Sequence, residues 1–381
     1  MSQKHDFTRR RFLETSTLFV AGTTGSLSFN RDTSAVENQN ENHDKNQNEN
    51  QRIKIGQLGV GHMHAYKMGD LRKLNEIFEV VGIAEDDPKL RASAEKQAVY
   101  QGLKWMSSEE LLAVPGLQAV SVETEEHLLI PAALRCIRAG KHIHLDKPAG
   151  ESLADFKQLL DEAKTQNLTV QMGYMYRNNP AVQFCIKAVK DGLLGTIFDV
   201  DAAMSRYDGE EFRRVLKGFK GGAPYIFICH LIDLMVTLLG EPEKIHPFPR
   251  CTHSDGLVDN CVTVFEYPHG CIATLRTAVT EVEGFQRRHL TVCGDKGTII
   301  IQPLETSGNL ANGVLRLALP KDRNGYKKGY QTVPMPAPKT RYEDQWREFA
   351  QILRGEIVNP YTYEHDFIVH KCLLETCGLN Q

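Results

Sequence analysis

Two stretches of this sequence hold residues able to move protons. His230 and Asp233 stand three positions apart in "YIFICHLIDLM", residues 225–235, a run with no other charge. A helix starting near Cys229 sets both on one face, because positions three apart are helical neighbours. Histidine titrates near neutrality and serves as a general acid or base; an aspartate beside it either orients the ring or holds structure by hydrogen bonding. Lys147 ends "KHIHLDK", which reads as a buried strand running into a turn. Placed there it can pass a proton or steady a developing alkoxide, provided burial or a nearby cation lowers its reference pKa of about 10.4.

Such groups need a scaffold and a redox or binding partner, and the glycines supply a candidate. "RIKIGQLGVGHMHAYKM", residues 52–68, reads as a short strand, a glycine turn and a helix. Gly59 and Gly61 allow the tight turn and close backbone approach that a pyrophosphate requires at a helix N-terminus. The third glycine of G-x-G-x-x-G is replaced by His64. A second buried strand, "FEVVGIAEDDP", ends at Glu85, 24 residues past Gly61, where an acid meets the adenosine ribose hydroxyls. A carboxylate there repels a 2′-phosphate, so NAD is expected over NADP, with Asp86 and Asp87 adding to the negative field.

Strand and helix patterns then alternate. "SSEELLAV" opens with a capping box from Ser107 to Glu110, "LQAVSVET" is a strand, and "EEHLLIPAALRCIRAG" is a helix closed by Gly140. "SLADFKQLLDEAKTQN" is helical and "LTVQMGYMY" is a strand again. This spacing predicts a doubly wound parallel sheet over residues 52–174, with its ligand beyond the C-terminal strand ends at Gly61, Glu85, Thr124 and Lys147. From 175 to 381 the β-rich runs "TIFDVDAAMSR", "CVTVFEYPHGCIATLRTAV", "RRHLTVCGDKGTIII" and "GVLRLAL" predict a second domain of mainly antiparallel sheet, followed by C-terminal helices.

At 381 residues the chain is long enough for two domains, and 41% hydrophobic with 24% charged residues is ordinary for a globular protein. A formal net charge of −3 argues against nucleic acid or an anionic membrane as partner. No apolar run is expected to span a bilayer. Thr8-Arg9-Arg10-Arg11-Phe12-Leu13, followed by a weakly apolar stretch, reads as a twin-arginine signal over residues 1–29, implying a periplasmic destination. Residues 30–51, Asn-rich and without an aromatic, read as a disordered linker. The nine cysteines show no C-x-x-C pair and no zinc spacing, so mostly buried thiols and no metal are expected.

The chain resembles the glucose–fructose oxidoreductase, inositol dehydrogenase and MocA family, Gfo/Idh/MocA, in five patches taken in order. These are Gly59-Val60-Gly61 with His64, Thr124 with His127, Asp146-Lys147-Pro148, Gly173 with Arg177, and Gly221-Gly222 followed by His230 and Asp233. The resemblance implies a Rossmann domain joined to an α/β domain whose open sheet mediates homo-oligomers. It implies that Lys147 contacts both nicotinamide and the reacting hydroxyl, and that His230 is the acid/base. It places Arg177, Asp233 and Tyr174 at the substrate, and Gly59, Gly61, His62, Met63, Glu85, Thr124, His127, Asp146 and Lys147 at the cofactor.

One departure matters. Family dehydrogenases carry an aspartate four residues before the histidine and a glycine two before it; here these are Ile226 and Ile228. Carboxylates of "RYDGEEFRR" (Asp208, Glu210, Glu211) are candidates to compensate, against the plainer expectation of a solvated loop. The reading is an exported NAD-dependent oxidoreductase acting on a secondary hydroxyl of a sugar or polyol. Its rivals are a glycosidase or lyase that oxidises only transiently, and a non-catalytic binding protein.

Overall fold

The computed structural model describes residues 52–305, 313–336 and 340–379; the proposed signal and linker, residues 1–51, lie outside them. The first sheet has six strands: β1 (Ile53–Leu58), β2 (Phe78–Ala84), β3 (Trp105–Met106), β4 (Ala119–Val122), β5 (His142–Leu145) and β6 (Val170–Met172). Their order is β3-β2-β1-β4-β5-β6 and every pairing is parallel. Helices α1 (Met68–Lys73), α2 (Pro88–Ala94), α3 (Ser108–Leu112), α4 (Leu129–Arg138) and α5 (Leu153–Thr165) connect them. Residues of β4 are buried along their whole length, as expected of a strand covered on both faces. The capping box at Ser107 is formed, its hydroxyl accepting from the Glu110 amide while Glu110 accepts from the Ser107 amide.

Two details differ from expectation. The glycine turn does not lead straight into a helix: a single 3₁₀ turn, Ala65–Lys67, precedes the short α1. β6 stops at Met172 and the chain bends at Gly173 into a 3₁₀ turn, Met175–Asn178, so "GYMY" leaves the sheet and faces the second domain.

The second domain contributes α6 (Pro180–Lys190), β7 (Ile197–Ala203), α7 (Glu210–Leu216), α8 (Gly222–Leu239), β8 (Lys244–Arg250), β9 (Asn260–Glu266), β10 (Ile272–Ala278), β11 (His289–Gly294), β12 (Gly297–Gln302), β13 (Val314–Leu319), β14 (Gly329–Val333), α9 (Glu343–Leu353) and α10 (Tyr363–Thr376). The strands form one open sheet, β14-β13-β12-β11-β7-β10-β9-β8, antiparallel except where β10 runs parallel to β7. The outermost strands β8 and β14 escaped the sequence reading because edge strands bury little: β8 carries two prolines and alternates exposed with half-buried residues.

Helix α8 starts at Gly222, seven residues before the expected Cys229. Gly222 takes φ +59°, and a Cβ there would lie 2.6 Å from the Val258 carbonyl oxygen, so glycine is required at the entry. Pro224 is tolerated in the first turn, whose N–H groups have no intrahelical acceptor. At 18 residues α8 is long and apolar enough, by length and composition, to cross a membrane, contrary to the expectation that no run would be. It lies instead inside the fold, with 83% of its residues buried between the second sheet and α10. Its apolar character is that of a core helix.

α9 does not stay with the second sheet. Tyr342, Trp346, Phe349 and Ala350 share a core with Ile53, Ile55, Met68, Leu71 and Phe78, so the chain returns to cover the first sheet.

Candidate active site

The C-terminal ends of the parallel strands set up one rim. Gly59 follows β1, Glu85 follows β2, Glu123 and Thr124 follow β4, Asp146 and Lys147 follow β5, and Gly173 and Tyr174 follow β6. This is where an open parallel sheet presents its ligand site.

At the centre is Asp146, fully buried. It accepts from Lys67 Nζ at 2.8 Å and pairs with His62 Nδ1 at 2.9 Å and His64 Nδ1 at 3.3 Å, while the Lys147 amide donates to Oδ1 at 2.7 Å. Burial alone would raise its pKa, but His62, Lys67 and His64 together hold it well below the usual carboxylate range. Lys67 Nζ also reaches Glu123 at 3.1 Å and His144 Nε2 at 2.9 Å. His144 must accept there, so its Nδ1–H donates to Gln171 Oε1 at 3.0 Å, and burial holds the ring neutral with a pKa of about 3. Glu123 is pushed up to about 7 by burial, against the pull of Lys67. His62 completes the cluster: Nδ1 faces Asp146 and Nε2 faces the Lys147 carbonyl at 3.2 Å. Nδ1 also faces the His64 amide at 3.2 Å, and although burial disfavours charge on the ring, the Asp146 carboxylate outweighs it and the pKa is raised. His62, His64 and Asp146 have metal-ligand spacing, but Lys67 already supplies a cation on Asp146.

Lys147 is buried, and its Nζ donates to the main-chain oxygen of Ile226 at 3.2 Å. The position where relatives would place an aspartate thus meets the lysine through its carbonyl, which any side chain at 226 supplies. His230 lies one helical turn further on. Its ring packs against Tyr174 and Tyr176, with centroids 5.9 and 5.5 Å away. Burial and the charges of Lys147, His64 and Arg341 hold it well below its ordinary pKa, so it is neutral, and its buried Nδ1 has no hydrogen-bond partner among the described residues.

Asp233 is not beside that nitrogen in any hydrogen bond. Both of its oxygens accept from Arg177 Nε, at 3.0 and 3.1 Å, and Oδ1 also accepts from Arg177 Nη2 at 2.6 Å and pairs with His365 at 3.1 Å. Arg177 further pairs with Asp366 at 2.5 Å and stacks 3.7 Å over the Tyr361 ring and 4.9 Å over Tyr174. The arginine and the aspartate are buried partners that lock α8 and α10 to the Tyr174 turn, and the charges satisfy one another. Tyr174 lies between this cluster and His230.

The glycine turn after β1 packs against the loop after β4 and against the carboxylate that ends β2. Gly59 takes φ +90°, and a Cβ would lie 2.6 Å from the Thr124 amide nitrogen, so the β1 and β4 loops meet only through glycine. Glu85 accepts the Val60 amide at 2.9 Å and the Asp87 amide at 2.9 Å, which pins the glycine turn and leaves lone pairs for a diol. Burial raises its pKa despite these bonds. Gly61 lies under the Glu125 side chain, Met63 is half-buried, Thr124 is buried and His127 is exposed. A positive-φ glycine against a second loop and a carboxylate at the end of β2 fit an adenosine diphosphate ribose.

Residues 53–174 match the model of an oxidoreductase family with an NAD-binding Rossmann fold, and residues 182–300 match the GFO/IDH/MocA C-terminal domain. The chain belongs to the Gfo/Idh/MocA oxidoreductase family. Among its relatives is the 2,7-anhydro-N-acetylneuraminate hydratase of Escherichia coli (strain K12), 24% identical over 273 residues, covering 68% of this chain and 70% of the relative. Another is the myo-inositol 2-dehydrogenase of Thermotoga maritima, 24% identical over 260 residues, 65% of this chain and 74% of the relative. The fold is shared with levoglucosan dehydrogenase in complex with NADH, TM-score 0.71 at 18% identity, covering 86% of this chain and 97% of that one. The aldose-aldose oxidoreductase of Caulobacter crescentus has TM-score 0.71 at 20% identity, covering 87% and 99%.

Within this Gfo/Idh/MocA site, several residues lie outside the sequence reading. Lys67 and Glu123 were missed, although a lysine three positions after His64 and an acid ending β4 were visible signals. Tyr342, whose ring lies 6.2 Å from His64, and Arg341 come from the far end of the chain, where nothing local marks them. Asp208 is not in a solvated loop: it is buried and pairs with Arg206 at 2.7 Å, whereas Glu210 and Glu211 are exposed in α7.

Proposed function

We propose that the chain is an exported, NAD-linked member of its family that oxidises or reduces a secondary hydroxyl of a sugar or polyol. The observation that carries this reading is the placement of Lys147 on the Ile226 carbonyl, one turn before a neutral, buried His230, at the strand-end rim beside the glycine cradle. The relatives' names, a dehydrogenase of myo-inositol and one of levoglucosan, agree with it.

NAD, when bound along Gly59, Gly61, Thr124 and Glu85, supplies the hydride acceptor. Everything else is this chain's own work. Lys147 brings an oriented positive charge to a developing alkoxide, His230 is uncharged and so able to take the hydroxyl proton, and Tyr174 and Tyr176 wall the ring in. Because Asp233 is committed to Arg177, His230 works without a carboxylate beside it.

Glu85 supports NAD over NADP, and Thr8 to Leu13 support twin-arginine export to the periplasm. The outer face of the open sheet, with Val262, Val264 and Ile300 among threonines, supports a homo-oligomer. A transient-oxidation lyase is the second reading, supported by the hydratase among the relatives and by Ile226. The test is to incubate purified protein with NAD and a panel of polyols and glycosides. Net NADH with a ketose product supports the dehydrogenase; cleavage without net NADH supports the lyase. Lys147→Ala and His230→Ala should each lower either activity by roughly 10²–10⁴, with NAD still bound. A His230→Ala protein that melts early but turns over normally would overturn the mechanism.

A further inference from the structure

Of the charged and imidazole groups clustered on Asp146, only His64 is open to solvent. Its side chain is 21% exposed, whereas His62, Lys67, Glu123 and Asp146 are shut in. It stands where the dinucleotide fingerprint has its third glycine, a position that needs a small residue when a helix packs directly on the strand. Here a 3₁₀ turn follows instead, and a ring is accommodated.

The tautomer of this ring is fixed by its neighbour. Lys67 and His62 hold Asp146 ionised, so the carboxylate only accepts, and His64 Nδ1, 3.3 Å from its Oδ1, must carry the hydrogen. The ring is neutral. Burial is the main cause and the Lys147 and His62 charges add to it, which against the pull of Asp146 leaves a pKa of about 3. A neutral ring with its hydrogen on Nδ1 has a bare lone pair on Nε2. That atom has no hydrogen-bond partner among the described residues and, unlike the unpartnered Nδ1 of His230, it is not sealed in. The rim therefore carries one uncharged acceptor that nothing in the fold uses.

Its place says what it accepts from. Hydride transfer needs the nicotinamide against the carbon whose hydroxyl Lys147 faces, so the ring lies between the glycine turn and Lys147. His64 is three residues past Gly61, and the Asp146 Oδ1 that faces it also accepts the Lys147 amide at 2.7 Å, which makes the two residues neighbours on that path. We propose that His64 Nε2 accepts a hydrogen bond from the carboxamide N–H of the nicotinamide and so fixes how the ring is turned towards Lys147. This rests on the NAD-linked reading above. A carboxamide fits better than a ribose hydroxyl, because a hydroxyl rotates to suit any partner whereas an amide N–H points in a fixed direction and needs an acceptor there. An imidazole that stays uncharged also adds no repulsion to the oxidised ring, which is a cation.

The test titrates the full chain, stripped of bound dinucleotide, with three ligands by calorimetry. They are NAD, its thionicotinamide analogue, which keeps the NH₂ group, and its 3-acetylpyridine analogue, in which a methyl group replaces it. Binding is read, so no substrate is required. The unaltered protein is expected to bind NAD and the thionicotinamide analogue alike, and the acetylpyridine analogue roughly 5- to 30-fold more weakly. His64→Ala should bring that ratio towards one by weakening NAD, and His64→Gln, whose side-chain carbonyl is also an acceptor, should restore part of it. A merely structural role for His64 would weaken all three ligands equally and leave the ratio where it was. Equal affinity for NAD and the acetylpyridine analogue in the unaltered protein, or an unchanged ratio in His64→Ala, would overturn the assignment and leave the NAD reading standing. If none of the three binds, the NAD reading falls and this assignment falls with it.

Discussion

Lys147 meets α8 through a carbonyl, and this changes what the isoleucine at 226 means. No carboxylate stands at 226, yet the lysine is anchored to that turn of α8 through the main chain, so its orientation does not depend on the side chain there. Behind it, the cluster of Lys67, Asp146, Glu123 and His62 is closed and charge-paired, and it positions the Lys147 backbone through two contacts, the Asp146 carboxylate on its amide and His62 on its carbonyl. His62 makes a pH prediction. Its folded pKa is raised above the ordinary 6.5, so its stabilising contribution is full below 6.5 and fades as pH rises through the folded value. Urea midpoints measured from pH 6 to 9 should therefore show His62→Asn most destabilised at the acid end, with the gap narrowing as pH rises. A gap that widens with pH would mean His62 is neutral in the fold.

At the scale of elements, α8 carries two separate jobs on one helix. His230 faces the site and Asp233, three residues on, is turned into the Arg177–Asp366 lock that joins α8 to α10. Arg177→Met would strand two buried carboxylates, so it should cost about 3–5 kcal/mol of stability in chemical denaturation, with affinity for NAD unchanged. A variant of normal stability but raised KM would return Arg177 to the substrate. The β2 end makes a second prediction. Glu85 holds the Val60 amide in the glycine turn, so Glu85→Ala should both weaken NAD binding and narrow the preference over NADP, measured by titration. Both elements were readable in outline. The glycine spacing, the acid after β2 and the lysine after β5 are local patterns, whereas the partners of Asp233 lie 56 residues away in one direction and 132 in the other, in Arg177 and His365.

The whole molecule is held together by a return of the chain. α9 leaves the second domain and buries Trp346 and Phe349 on the first sheet, bringing Arg341 and Tyr342 to the site as it does so. An enzyme of this kind that is exported would need its cofactor in place beforehand, since twin-arginine export carries folded proteins. Replacing Arg9 and Arg10 with lysine should keep the protein in the cytoplasm, and the periplasmic fraction of the unaltered protein should release NAD on denaturation. Unchanged periplasmic recovery of the variant would refute the export reading.

By itself the sequence determined the two-domain α/β architecture, the family and the rim of strand-end residues, because periodicity and glycine spacing are short-range and each strand of a parallel sheet delivers its next residue to the same edge. Only the tertiary structure decided which charges are spent on each other. Burial makes a group's chemistry depend on its neighbours within a few ångströms, and here those neighbours come from distant segments. Asp233 became a structural partner, Asp146 the hub of a closed cluster, and Arg288 and Arg341 a pair sharing one carboxylate.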